Sequence, residues 1–203
     1  MVYALCLSLD ITPADTPLPL LVHDEPMLPF AREIIEATAD VVTAYKINPS
    51  YYLAEGAAGV VALERIVRLL PTGSLTIWDA HATISSGLDA ALMARIAFNQ
   101  FGAGAVTLAH TPDPAVLDQF GAFKDKLLYA PSPKNHLAVL NEGGGVVRAY
   151  QRLPVAPVQI SPAFVAVGRQ ILYASKRANF AEAARAAAIH WRERLCSNDF
   201  EPV

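Results

Sequence analysis

The chain has only two cysteines, Cys6 and Cys196, and almost its whole length separates them. Neither a disulfide framework nor a cysteine-based metal site can be built from that spacing. The histidines His23, His110, His136 and His190 show no ligand spacing either, so no metal is expected. Long runs of one charge are also missing: 16 basic and 19 acidic residues are interspersed. Nothing in that pattern points to a nucleic-acid or membrane surface, which leaves a small molecule as the expected partner. No apolar run approaches the ~20 residues of a membrane span. The first residues enter a strand without a basic leader or a cleavage site. A cytoplasmic protein without cofactor is therefore expected. Gly102-Ala103-Gly104 precedes a strand, whereas a phosphate cradle needs its glycines at a helix N-terminus. Gly143-Gly144-Gly145 reads as a turn.

What is present is apolar material in short blocks. With 53% hydrophobic residues in a 203-residue chain, a sizeable core is available to a single domain spanning 1–203. Val2 to Leu9 is a near-continuous apolar run ending in Asp10, the pattern of a central parallel strand buried on both faces. Ile11 to Pro29 then carries five prolines, so it is predicted to be a long loop. A helix over Leu28–Ala39 leads to a second strand, Val41–Ile47, near whose end stand Lys46 and Asn48. The helix Ala57–Leu70 stops at Pro71-Thr72-Gly73.

Leu75 to Ile84 is the most informative stretch. Its run Ser74 to Trp78 is too short for a helix and rich in β-formers, and the helical pattern Ser86–Phe101 follows directly. That makes it a β-to-α junction which delivers Asp79 and His81 to the strand's C-terminal end, where parallel α/β folds place their chemistry. A fourth strand, Ala105–Ala109, and a short helix, Pro112–Phe120, follow. Strands are then predicted at Lys126–Ala130, Val146–Tyr150, Val155–Ile160 and Ala163–Val167, with room for only a turn or two of helix after Pro131-Ser132-Pro133. Phe180–Leu195 is an alanine-rich amphipathic helix. Eight strands point to a (β/α)8 barrel, shorter than the typical ~250 residues, with helices lost after strands five to seven. The rival topology is an open doubly wound sheet.

Dispersed motifs carry a resemblance across nearly the whole chain: Ile34 through Asn48, Tyr51-Tyr52, Gly59 with Ala62-Leu63-Glu64-Arg65, Asp79-Ala80, Gly168-Arg169 with Ile171-Leu172-Tyr173-Ala174, and Phe180 through Ala188. In these the chain resembles the orotidine 5'-phosphate decarboxylase family, in its bacterial form with a long first loop. The resemblance implies a TIM-type barrel, pyrimidine (UMP) biosynthesis ancestry, a nucleotide monophosphate or ribose phosphate as ligand, and a homodimer. It implies that Asp10 and Lys46 hold ribose hydroxyls and that Asp79 is the first acid of the family's Asp-x-Lys-x-x-Asp-Ile motif. Asn48, Thr83, Gly168 and Arg169 become candidate ligand contacts, with Lys46, Asp79 and His81 as candidate catalytic residues.

The chain departs from that motif. His81 stands at the position of the catalytic lysine, and Ala82-Thr83-Ile84 supplies no second aspartate. The family's glycine-rich phosphate loop has no counterpart, since Ser161-Pro162 follows the seventh predicted strand. Weak or lost decarboxylase activity with a retained nucleotide pocket is the resulting expectation. An active lyase using His81, or an interaction partner of an intact homologue, are the alternatives. Met93, Ile96, Phe98 and Phe101 offer more apolar surface than one helix face needs, which would suit a dimer contact. The residues alone also allow Lys46 and Asp79 as a structural ion pair, Asp10 as a loop anchor, His81 as a core histidine, and Gly168-Arg169 as a turn.

Overall fold

Eight strands close into a barrel in the computed structural model, which describes residues 3–80, 86–141, 145–153 and 163–197. They are β1 (Tyr3–Ser8), β2 (Ala44–Ile47), β3 (Leu75–Asp79), β4 (Ala105–Thr107), β5 (Leu127–Pro131), β6 (Leu137–Leu140), β7 (Val146–Arg152) and β8 (Ala163–Val167). Closure excludes the open sheet. Around them lie α1 (Met27–Thr38), α2 (Ser50–Leu53), α3 (Gly56–Val67), α4 (Gly87–Ala94), α5 (Pro114–Gly121), α6 (Arg169–Leu172) and α7 (Phe180–Cys196). Among the described residues no helix stands between β5 and β8, as the short spacing there predicts.

Two apolar layers follow from the period-two alternation of the strands. Cys6, Ala44, Ile77, Ala105, Tyr129, Tyr150, Phe164 and Ala166 fill the barrel, small residues facing large ones so that the interior packs without a pore. The outward residues, such as Leu5, Leu7 and Val165, pack on helix residues Phe30, Ile34, Ile66 and Trp191. Each such fully buried side chain contributes about 1.5–3 kcal/mol relative to exposure.

The strand order departs from a regular (β/α)8 barrel. It runs β1-β2-β3-β4-β5-β7-β6-β8, and β7 is antiparallel to both of its neighbours while the other pairings are parallel. No strand is expected at Leu137–Leu140, yet it forms β6, and the strand expected at Val155–Ile160 lies outside the described residues. Connection length explains the change. A parallel neighbour needs a crossover of about a dozen residues or more, whereas an antiparallel one needs only a tight turn. Between Leu140 and Val146 the backbone closes through Asn141 N–H to the Gly145 carbonyl at 2.8 Å, so β6 and β7 form a hairpin. Pro131 and Leu137 both pair with Tyr150 from opposite sides, so the chain passes from one edge of β7 to the other without descending the barrel.

A second departure concerns α4, which runs into a π-helical turn over Arg95–Gln100. The wider turn changes which side chains face the sheet. Phe98 packs on Phe120 and Phe123, and Phe101 stacks on Trp78 at 4.7 Å, so both are buried rather than available to a partner. The exposed apolar stripe consists instead of Leu88, Leu92 and Ile96, spaced four apart.

Candidate functional site

Parallel strands that end in polar residues bring those residues to one rim. Lys46, near the end of β2, is 2% exposed and lies between two carboxylates, with its Nζ 2.6 Å from Asp79 Oδ2 and 3.2 Å from Asp10 Oδ2. Thr107 at the end of β4 donates its hydroxyl to Asp79 Oδ1 at 2.6 Å. Asp10 accepts the Asn48 backbone N–H at 3.2 Å, which ties the exits of β1 and β2 together. Burial alone would pull the ammonium of Lys46 down, but Asp10 and Asp79 outweigh it and hold its proton above the ordinary lysine range. Tyr150 on β7 reaches the same layer beside Thr107 and Asp79, its phenol pushed up to about 12 mainly by burial.

Asp10, Lys46, Asn48 and Asp79 are thus brought together as the sequence predicts. His81 and Thr83 lie outside the described residues. Gly168 and Arg169, at the exit of β8, line a cavity of about 240 Å³ together with Ser8, Asp10, Asn141 and Gln170. Ser8 is 2% exposed and its hydroxyl has no hydrogen-bond partner among the described residues. A buried polar atom without a partner costs about 1–3 kcal/mol, and the residue that carries this one lines the cavity. Gly168 packs against that serine: a Cβ built on it would come within 3.2 Å of Ser8 Cβ.

Arg169 is half exposed and tethered. Its Nη1 donates to Asp15 Oδ2 at 2.9 Å and its guanidinium lies over the Tyr173 ring at 5.0 Å. Asp15, on the proline-rich loop, also binds Lys176 Nζ at 2.9 Å and Thr12 Oγ1 at 3.0 Å. Lys176 and then Arg169 keep its carboxyl well below the usual range. The loop between β1 and α1 forms two short 3-10 helices, Pro13–Asp15 and Leu18–Val22, and is clasped to the β8 exit by these contacts. Ser8, Thr107, Tyr150 and Asp15 were not singled out from sequence. For Ser8 and Thr107 the signal was there, because each is a hydroxyl inside an otherwise apolar strand, on its inward face.

A closed α/β barrel whose charged and hydrogen-bonding side chains meet at the C-terminal strand ends is a barrel of the TIM class. The orotidine 5'-phosphate decarboxylase of Thermomicrobium roseum is 30% identical over 251 aligned positions, covering 94% of this chain and 89% of the relative. The chain belongs to the orotidine 5'-phosphate decarboxylase family. The relative from Roseiflexus castenholzii is 38% identical over 122 residues, 60% of this chain and 44% of the relative. That from Roseiflexus sp. is 38% identical over 104 residues, 51% and 38%. In these two matches the chain spans less than half the relatives' length. An alignment of 251 positions fits a chain of 203 residues only with long gaps in this chain, in keeping with its lost crossovers. No family model matches the chain. Among solved structures, the OMP decarboxylase of Leishmania donovani superposes with a TM-score of 0.64 at 21% identity, covering 94% of this chain and 91% of the other. That of Plasmodium berghei superposes with 0.61 at 13% identity, covering 94% and 93%. Both share the fold.

Proposed function

We propose that this chain binds a nucleoside 5'-monophosphate across the barrel mouth and has weak or no orotidylate decarboxylase activity. The observation that carries the reading is the state of Lys46, a buried cation shared by two carboxylates, one of which, Asp10, lines a cavity together with Ser8 and Arg169. Asp10 and Lys46 supply an acceptor and a donor suited to ribose hydroxyls. Ser8 and Arg169 line the neighbouring cavity, where Arg169 would meet the phosphate through its guanidinium fork.

Decarboxylation makes a harder demand. Loss of carbon dioxide from the pyrimidine leaves a ring carbanion, which must be stabilised by a fixed cation and then protonated. Lys46 is a poor source of that proton, because its two carboxylates hold it. Position 81 carries histidine, shorter than lysine and only partly cationic near pH 7. A missing general acid costs about 10² to 10⁴ in rate. Calorimetric titration with uridine 5'-monophosphate should show binding that Lys46→Met abolishes. Orotidylate consumption should stay below detection at saturating substrate. Turnover near the ordinary enzyme range of about 1 to 10³ per second would refute the loss of activity and make His81 the working acid. A homodimer through the Leu88, Leu92 and Ile96 stripe belongs to the same proposal, as does residence in the cytoplasm.

A further inference from the structure

A molecule laid across this mouth with its phosphate at Arg169 and its sugar at Asp10 runs from the exit of β8 to that of β1, and Lys46 carries the line on to β2. Whatever the sugar bears must then lie over the exits of β3 and β4 or over the barrel axis. That place is filled by the chain itself. Tyr150 pairs with Pro131, the last residue of β5, so its backbone stands at the level of the rim, and its side chain belongs to the interior layer with Tyr129 and Phe164. The residue is 1% exposed, and its phenol engages Thr107, which donates to Asp79. It is there because β7 is inverted: the tight hairpin after β6 turns the chain back across the mouth instead of away from it.

Two further observations agree. The cavity that Arg169 and Asp10 line has a volume of about 240 Å³, and Asp79, Thr107 and Tyr150 take no part in its lining. It falls below the roughly 300–1,000 Å³ of pockets that enclose a whole small-molecule ligand. Asp79 accepts from Lys46 at one oxygen and from Thr107 at the other, so the layer beneath Tyr150 is hydrogen-bonded from within the chain. We infer that Tyr150 occupies the place of the base and is the specificity-determining residue of the site, so that the chain binds 5'-phosphorylated ribose without regard to the base it carries. This rests on the nucleotide reading above and deepens it by naming which part of the nucleotide is recognised. A base left above the barrel buries little apolar surface and adds little to affinity. It is also kept from the Lys46–Asp79 pair, a reason for absent decarboxylation separate from the residue at position 81.

Calorimetry with uridine 5'-monophosphate, adenosine 5'-monophosphate and ribose 5-phosphate tests this on the native chain, Tyr150→Ala and Tyr150→Leu. On the native chain the three should bind within about threefold of one another. Tyr150→Ala removes the ring, and the affinity of uridylate relative to ribose 5-phosphate should rise about tenfold or more, the scale of burying one planar ring. Tyr150→Leu refills part of the space with an apolar side chain and should raise the same ratio by less; it carries the test where the alanine variant does not fold. Uridylate bound about tenfold or more tighter than ribose 5-phosphate or adenylate by the native chain would overturn the role of Tyr150 and leave the nucleotide reading standing. A ratio unchanged in the folded variants would overturn it as well. Failure of the native chain to bind any of the three would refute the nucleotide reading itself, and the inference with it.

Discussion

Replacing Lys46 with methionine keeps the length of the side chain and removes the cation that Asp10 and Asp79 share. Asp10 has 20% of its side chain in solvent and can be rehydrated, but Asp79 has 2% and loses the cation closest to it, while its bond from Thr107 stays. Removing one partner of a buried pair costs about 3–5 kcal/mol, and Asp79 places this variant within that range. For a chain of this size each kcal/mol shifts the melting temperature by about 2–4 °C, so a drop of roughly 6–20 °C is expected. Urea unfolding at pH 7, followed by the fluorescence of the buried Trp78 and Trp191, measures the loss. The double variant Lys46→Met with Asp79→Asn should recover much of it, because asparagine keeps an acceptor for Thr107 without the buried negative charge. A pH arm adds a sign. The folded-state proton affinity of Lys46 is raised above the unfolded value of about 10.4. Its contribution is therefore full below that pH and is lost as pH rises through the folded value. Buried tyrosines such as Tyr45 and Tyr129, pushed up to about 12, weaken the fold in the same region, so the informative quantity is the difference between native and variant. That difference should shrink in strong alkali. A cost under about 1 kcal/mol for Lys46→Met, or a double variant less stable than both single ones, would refute the account of a buried shared cation.

Asp15→Asn should loosen the proline-rich loop, read as faster proteolysis between residues 11 and 29, at only about 0.5–1 kcal/mol of global stability because Arg169 and Lys176 are half exposed. Asp15 has a depressed folded-state pKa, so in the native chain the clasp should hold above the unfolded value of about 3.9 and release as pH falls through the folded one. Gly59→Ala should destabilise by about 1–3 kcal/mol or more, since its Cβ would sit 2.0 Å from the Tyr52 carbonyl oxygen where α2 meets α3; thermal melting reads it. Leu92→Glu should convert a dimer to monomers in sedimentation with little change in melting temperature. A monomeric native chain at micromolar concentration would end the dimer proposal.

Much of the site was legible because Asp10, Lys46 and Asp79 each close an apolar run, and an ionisable residue at the end of a buried parallel strand has few places to go except the rim. The barrel was legible for the same reason, strand by strand. Strand order was not. Leu137–Leu140 is four residues long and follows a proline-flanked segment, so its local pattern cannot distinguish a strand from a loop. Its place between β7 and β8 depends on pairing partners distant in sequence. Phe98 and Phe101 misled because a 3.6-residue period was assumed where the helix widens into a π turn. Arg169 was read as a candidate ligand contact without its Asp15 partner, which lies 154 residues away.

The β6–β7 hairpin also changes how a molecule would leave the site. In a barrel of parallel strands each strand end at the rim launches a connection with slack to fold over what is bound. Here two strand ends share one connection, with five residues between Leu140 and Val146, closed on itself by the Asn141–Gly145 contact. That part of the rim has no spare chain with which to wrap an occupant. Water would stay in exchange with anything seated beside that hairpin, charge contacts there would be screened more than in a sealed site, and release would be limited by the few contacts made rather than by the opening of a cover.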